Sequence, residues 1–215
     1  MFTRRELLMS VAGAPFVQAL PARYKETRSG IWFYEESHAL AEESARGFHS
    51  LLSLSSSAGS PVVIIAPAVR NLRQEICAVL LEHVCRGAWL LFESGVCFSS
   101  DQEYSQQART LKQAFGLEVL PPLRVVDIAK TSSKYVNYAK PLAKSVRSFN
   151  AVTPIQCPPS DAIAYFHEHI VCATRAIGKG CLVYLGSMLG PGLLAEEYEA
   201  QKVGEDLIGV CLRQD

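Results

Sequence analysis

Charge of one sign is missing from this chain. Lys and Arg number 21, Asp and Glu also number 21, and the formal net charge is zero. No field therefore gathers nucleic acid or an anionic bilayer. No Lys/Arg-rich run or interleaved aromatic pattern restores a nucleic-acid reading. No two of the seven cysteines form a Cys-x-x-Cys pair, which leaves a zinc site or a thioredoxin-type redox motif without support. GxGxxG and GxxxxGK loops are absent, and so are internal repeats. No metal and no cofactor is expected. The apolar run from Leu7 to Leu20 has 14 residues, too few for a spanning helix of ~20 residues.

What is present suits one globular domain. The chain has 215 residues, of which 49% are hydrophobic and 20% charged, enough to bury a core. Seven cysteines leave at least one thiol unpaired in a monomer. Cys77 and Cys85 fall on one predicted helix, ~12 Å of rise apart, which exceeds disulfide reach. Most of the cysteines stand among apolar neighbours and read as small core hydrophobes.

The N-terminus begins Met1-Phe2-Thr3-Arg4-Arg5-Glu6-Leu7-Leu8. Two arginines before a short apolar run have the layout of an export signal over residues 1–22. The string resembles the twin-arginine (Tat) signal, which implies folding before export, engagement of the Tat machinery through Arg4 and Arg5, and an exported or periplasmic protein. Proline follows both small-residue candidates for cleavage, at Pro15 and Pro21, so an uncleaved segment would tether the domain to the membrane.

From residue 30 to residue 213 the pattern reads as a single α/β domain. Ile31–Tyr34, Val62–Ala66 and Trp89–Phe92 are short β-rich runs, and the last two are continuous apolar stretches suited to strands buried on both faces. Helical spacing predicts helices over about 37–54, from Asn71, and from Ser100 to Gly116. Asn71/Gln74 and Ser100/Glu103 have the capping-box spacing. Alternating strands and helices predict a three-layer sandwich around a mainly parallel central sheet. Residues 130–159 read as an excursion over the sheet edge with one short strand near Ser148. A late antiparallel hairpin is expected, with strands over 162–166 and 170–173 joined by a turn at His167-Glu168-His169. Gly178-Lys179-Gly180 turns into a further strand, and a last helix runs from about Leu193 to Leu212.

The stretch Arg175-Ala176-Ile177-Gly178-Lys179-Gly180-Cys181-Leu182-Val183-Tyr184-Leu185-Gly186-Ser187, with Glu93-Ser94-Gly95 after a buried strand, resembles the class I glutamine-amidotransferase-like domains. That resemblance implies a flavodoxin-like fold. It extends to non-catalytic members, including secreted ones and domains attached to glycosidases. Catalytic members carry a Cys in G-x-C-x-G, and Gly95-Val96-Cys97-Phe98-Ser99 puts Cys97 at that position. Ser99 replaces the second glycine, however, and the expected His is absent at Gly186-Ser187-Met188. The candidate bases are His167 and His169 with Glu168. A thiol needs a base within hydrogen-bond reach to act as a nucleophile.

Ligands of open α/β sheets bind beyond the carboxyl ends of the strands, so Glu93, Ser94, Gly95 and Ser187 are the candidate ligand-binding residues. For Glu93 the alternative is a carboxylate capping nearby N–H groups. Gly190-Pro191-Gly192 reads as a plain turn into a helix. Glu35, Glu36, Glu42 and Glu43 read as a solvated helix face. The leading expectation is an exported, catalytically inactive domain that binds a small ligand or a protein partner. The alternatives are a hydrolase or amidase dependent on Cys97, and a structural accessory domain of a larger assembly.

Overall fold

A computed structural model of the chain describes residues 24–28, 31–34, 36, 38–54, 63–94, 98, 100–125, 134–141, 143–148 and 151–212. Arg4, Arg5, Gly95 and Cys97 lie outside these residues, as does the whole of the export signal expected over residues 1–22.

The main sheet has nine strands. In spatial order they are β1 (Tyr24–Arg28), β2 (Ile31–Tyr34), β3 (Val63–Val69), β4 (Trp89–Ser94), β13 (Gly180–Leu185), β12 (His169–Ile177), β11 (Ala162–Phe166), β7 (Tyr135–Tyr138) and β8 (Lys144–Arg147). Two small antiparallel pairs flank it: β5 (Glu118–Val119) with β10 (Ile155–Gln156), and β6 (Leu123–Arg124) with β9 (Ala151–Val152). The helices are α1 (Ala39–Leu54), α2 (Gln74–Cys85), α3 (Asp101–Phe115), α4 (Gly190–Leu194) and α5 (Tyr198–Leu212).

The expected mainly parallel, flavodoxin-like sandwich is not what forms. Only β2–β3, β3–β4 and β4–β13 pair in parallel. The other five pairings of the main sheet are antiparallel. The reason lies in the connections. A parallel neighbour needs a crossover of a dozen or more residues, whereas a short turn can only return the chain antiparallel. The Gly178–Lys179 and His167–Glu168 turns therefore force β11, β12 and β13 into an antiparallel run. The stretch expected to be an excursion builds the β7–β8 hairpin, which extends the sheet beyond β11.

Period-2 alternation divides the core. Val63 and Ile65 face one side with Phe48, Leu51 and Leu52 of α1 and Val203 and Leu207 of α5. Ile64 and Ala66 face the other with Ile76 and Leu80 of α2 and Leu111 and Phe115 of α3. The β2-to-β3 and β3-to-β4 connections advance in the same direction across the sheet, yet α1 and α2 cover opposite faces. The two crossovers thus have opposite hands, and one departs from the right-handed preference.

Local chemistry accounts for the helix ends. The Ser100 side chain accepts from the Glu103 N–H at 3.2 Å, and Gly116 closes α3 in the left-handed region at φ 64. Asn71 does not cap a helix. α2 begins at Gln74 with Arg73 at the N-cap position and no side-chain cap, and the Asn71 N–H donates to Glu36. The single C-terminal helix expected from Leu193 is two helices, separated around Glu196 at φ 55.

Candidate functional site

The parallel strands β2, β3, β4 and β13 end at one edge of the sheet, and two buried carboxyl groups sit there. Glu93, the penultimate residue of β4, is fully buried. The Ser44 hydroxyl of α1 donates a very short hydrogen bond to it. The N–H of Ala68, at the end of β3, donates at 2.9 Å. The N–H groups of Leu189 and Gly190, at the start of α4, donate at 2.6 and 2.9 Å. Four donors from three segments thus converge on one side chain. Ala68 adopts φ 46, a left-handed conformation uncommon for a residue with a side chain. Burial pushes the Glu93 pKa up, and the bonds from Ser44, Gly190, Leu189 and Ala68 oppose that rise.

Glu36, just past β2, repeats the pattern. It is 6% exposed. It accepts from the Arg70 N–H at 3.0 Å and the Asn71 N–H at 3.1 Å, and lies 3.3 Å from His38 Nε2. The expected solvated acidic face therefore needs correcting: Glu42 is exposed, but Glu36 is a buried clasp on the loop after β3. Nothing in its sequence neighbourhood distinguishes it from the adjacent glutamates, so only tertiary pairing reveals its role.

Helix starts attract anions, because their first N–H groups lack intrahelical partners. Here the protein's own Glu93 fills that position at α4. Ser94 is also fully buried; Gln107 Nε2 lies 3.3 Å from its hydroxyl and 2.9 Å from the Val69 carbonyl. Ser187 is buried as well. Its N–H faces the Cys172 sulfur, whose pKa burial pushes up to about 12. Three of the four candidate ligand-binding residues are thus brought together beneath the rim, not on it.

The β11–β12 turn carries the other candidates. His167 sits at φ 53, and Glu168 Oε1 lies 3.4 Å from His169 Nε2. Glu168 and His169 line a cavity of about 210 Å³ with Cys157, Gln156 and Ile170. Cys157 is the thiol the structure brings to these residues, and sequence reasoning passed over it. Burial and Asp161 raise its pKa, which works against a thiolate. Cys77, Cys172, Cys181 and Cys211 are buried and free, and Cys85 is exposed and free. Burial raises the pKa of each of the four buried thiols. Among the described residues no cluster of His, Cys, Asp and Glu is arranged to hold a metal ion. Among them, too, no helix is long and apolar enough to cross a membrane.

A second polar concavity lies at the far end of the sheet, between β8 and α5. Its volume is about 540 Å³, and Asn137, Tyr138, Ala143, Lys144, Ser145 and Glu199 line it. Lys144 Nζ lies 3.0 Å from Glu199 Oε2. No short motif marks this site, because its residues come from a hairpin and a helix far apart in the chain.

No protein-family profile matches the chain, and no curated protein matches it. Solved structures do. An exo-β-1,4-mannosidase from Opitutaceae bacterium strain TAV5 matches with a TM-score of 0.56 at 13% identity, over 86% of this chain and 36% of that one. A β-galactosidase from the Antarctic haloarchaeon Halorubrum lacusprofundi matches with a TM-score of 0.53 at 11% identity, over 82% of this chain and 31% of that one. A cytoplasmic protein of Salmonella typhimurium LT2 matches with a TM-score of 0.54 at 11% identity, over 85% of this chain and 90% of that one. The chain spans about a third of the length of the two glycosidases. At these identities the likeness is one of fold alone.

Proposed function

We propose that this chain is a non-catalytic α/β domain that binds a small ligand or a protein partner. The observation that supports this reading is the state of Glu93. At the sheet edge where an open α/β fold binds and transforms ligands, the buried carboxyl is engaged by four internal donors. A general acid or base must exchange a proton with its substrate, and a side chain closed in on every side is poorly placed to do so. The raised thiol pKa values of Cys157 and Cys172 point the same way. The test uses the full chain against chromogenic amides and esters, with Cys97→Ser as the control, and graded iodoacetamide labelling of Cys97. The expected result is no turnover above the control and slow alkylation; turnover that disappears in Cys97→Ser would overturn the reading.

The twin-arginine-like start supports export of the folded domain. Cell fractionation should find the chain outside the cytoplasm, and replacing Arg4 and Arg5 together by lysine should retain it inside. A wild-type chain found only in the cytoplasm would sink this part of the proposal.

A second reading, an accessory domain of a larger assembly, is favoured by the glycosidase likeness. The same fold there makes up about a third of a longer chain. Light scattering of the purified chain should then show a defined oligomer, and a strict monomer at high concentration would count against it.

A further inference from the structure

We propose that the cleft between β8 and α5 binds a neutral saccharide. The inference rests on the non-catalytic binding reading and supplies its site and ligand class. Asn137, Lys144, Ser145 and Glu199 line the cleft, and the Tyr198 ring lies 5.6 Å from the Nζ of Lys144.

Charge comes first. The two ionic side chains lining the cleft, Lys144 and Glu199, pair at 3.0 Å and cancel. An anion would have to displace Glu199 from Lys144, and a cation would have to do the reverse. A neutral ligand carries neither cost.

Hydrogen-bonding capacity comes second. The Ser145 hydroxyl bonds one end of the Asn137 amide at 2.8 Å, which leaves the other end without a partner among the described residues. The lining thus holds both donors and acceptors, an ammonium, an amide, a hydroxyl and a carboxylate. Sugar hydroxyls both donate and accept, so a polyhydroxylated ring can satisfy such a lining where a purely donating or accepting ligand cannot.

The third observation is the aromatic wall. Tyr198 is 62% exposed, among the largest exposures of any big hydrophobic residue described. Lys144 Nζ and Lys202 Nζ lie over its ring, 5.6 and 5.8 Å from the centroid. An exposed ring beside polar groups offers apolar surface to the C–H face of a pyranose, which would displace a lysine from over the ring on stacking. The volume of about 540 Å³ falls within the ~300–1,000 Å³ of small-molecule sites.

The test titrates the full chain with β-1,4-mannotriose and β-1,4-galactobiose by calorimetry, with a sulfated trisaccharide as the charged control. Each titration is followed by chromatography of the sugar. Saturable binding of a neutral sugar is expected, weakened at least tenfold in Tyr198→Ala and in Asn137→Ala, with thermal midpoints unchanged. Absence of binding at 10 mM of either neutral sugar would overturn the saccharide proposal. So would binding indifferent to both substitutions, or preference for the sulfated sugar. Cleavage of a bound sugar is a separate outcome: it would refute the non-catalytic reading while leaving the cleft's ligand class standing.

Discussion

The two ends of the main sheet handle their polar groups in opposite ways. At the parallel end, Glu93 and Glu36 turn inward and gather N–H groups from the loops after β3 and β13, so that end is sealed by the protein's own carboxyls. At the antiparallel end, polar side chains of β7, β8 and α5 turn outward around an open cleft, and Tyr198 stands exposed beside them. Buried polar groups left unsatisfied cost stability, while exposed ones can be completed by water or a ligand. The parallel end is therefore built for stability, and the antiparallel end is where the proposed ligand would bind.

The comparison breaks first, and most severely, at Glu93. Glu93→Ala leaves three buried N–H groups and a hydroxyl without their acceptor, at ~1–3 kcal/mol for each unsatisfied group. A loss of about 4 kcal/mol or outright failure to fold is expected, measured by denaturant unfolding. A loss below ~1 kcal/mol would show that the clasp is ornamental. Gly47→Ala should come next. A Cβ at Gly47 would overlap the Gly190 carbonyl oxygen, and one at Gly190 would overlap Ser44, so α1 and α4 meet backbone to backbone. Overpacking of this kind costs ~1–3 kcal/mol, and a stability equal to wild type would mean the two helices can part freely.

The same end should respond to pH. Burial raises the Glu93 pKa above 4.5 in the folded chain. A group whose folded pKa is raised contributes stability that is complete below its unfolded value and is lost as pH rises through the folded value. The stability difference between wild type and Glu93→Gln should therefore shrink as pH rises from about 4.5, since glutamine does not titrate. A difference that grows with pH would show that the four donors outweigh burial.

The sequence shows one end of the sheet far better than the other, for a physical reason. β3 and β4 are buried on both faces, and their continuous Val, Ile, Leu and Phe runs announce them. β7 (Tyr-Val-Asn-Tyr) and β8 (Lys-Ser-Val-Arg) are four-residue strands that mix apolar and polar residues, too short for their alternation to stand out from the Lys-, Ser- and Pro-containing stretch around them. Strand–helix alternation implies parallel order in the first half, where it holds, but the second half is joined by short turns, which cannot return a parallel neighbour. Glu93 stood out because a charge ends an apolar run. Glu36 and Glu199 did not, since each sits among other glutamates and only its tertiary partner distinguishes it.

The smallest expected effect lies at the open end, and it sharpens the contrast. Lys144 and Glu199 are 25% and 43% exposed, so water screens their attraction. Exposed pairs of this kind are worth ~0–1 kcal/mol. A double-mutant cycle on Lys144→Ala and Glu199→Ala should therefore return a coupling energy below ~1 kcal/mol, falling further in high salt. Tyr198→Ala, which removes an exposed ring, should likewise stay within ~0.5 kcal/mol of wild type. If the coupling instead exceeds ~2 kcal/mol and survives salt, the pair is a structural rivet between β8 and α5. The cleft would then be part of the fold's support, and the division between a sealed end and a free one would fail.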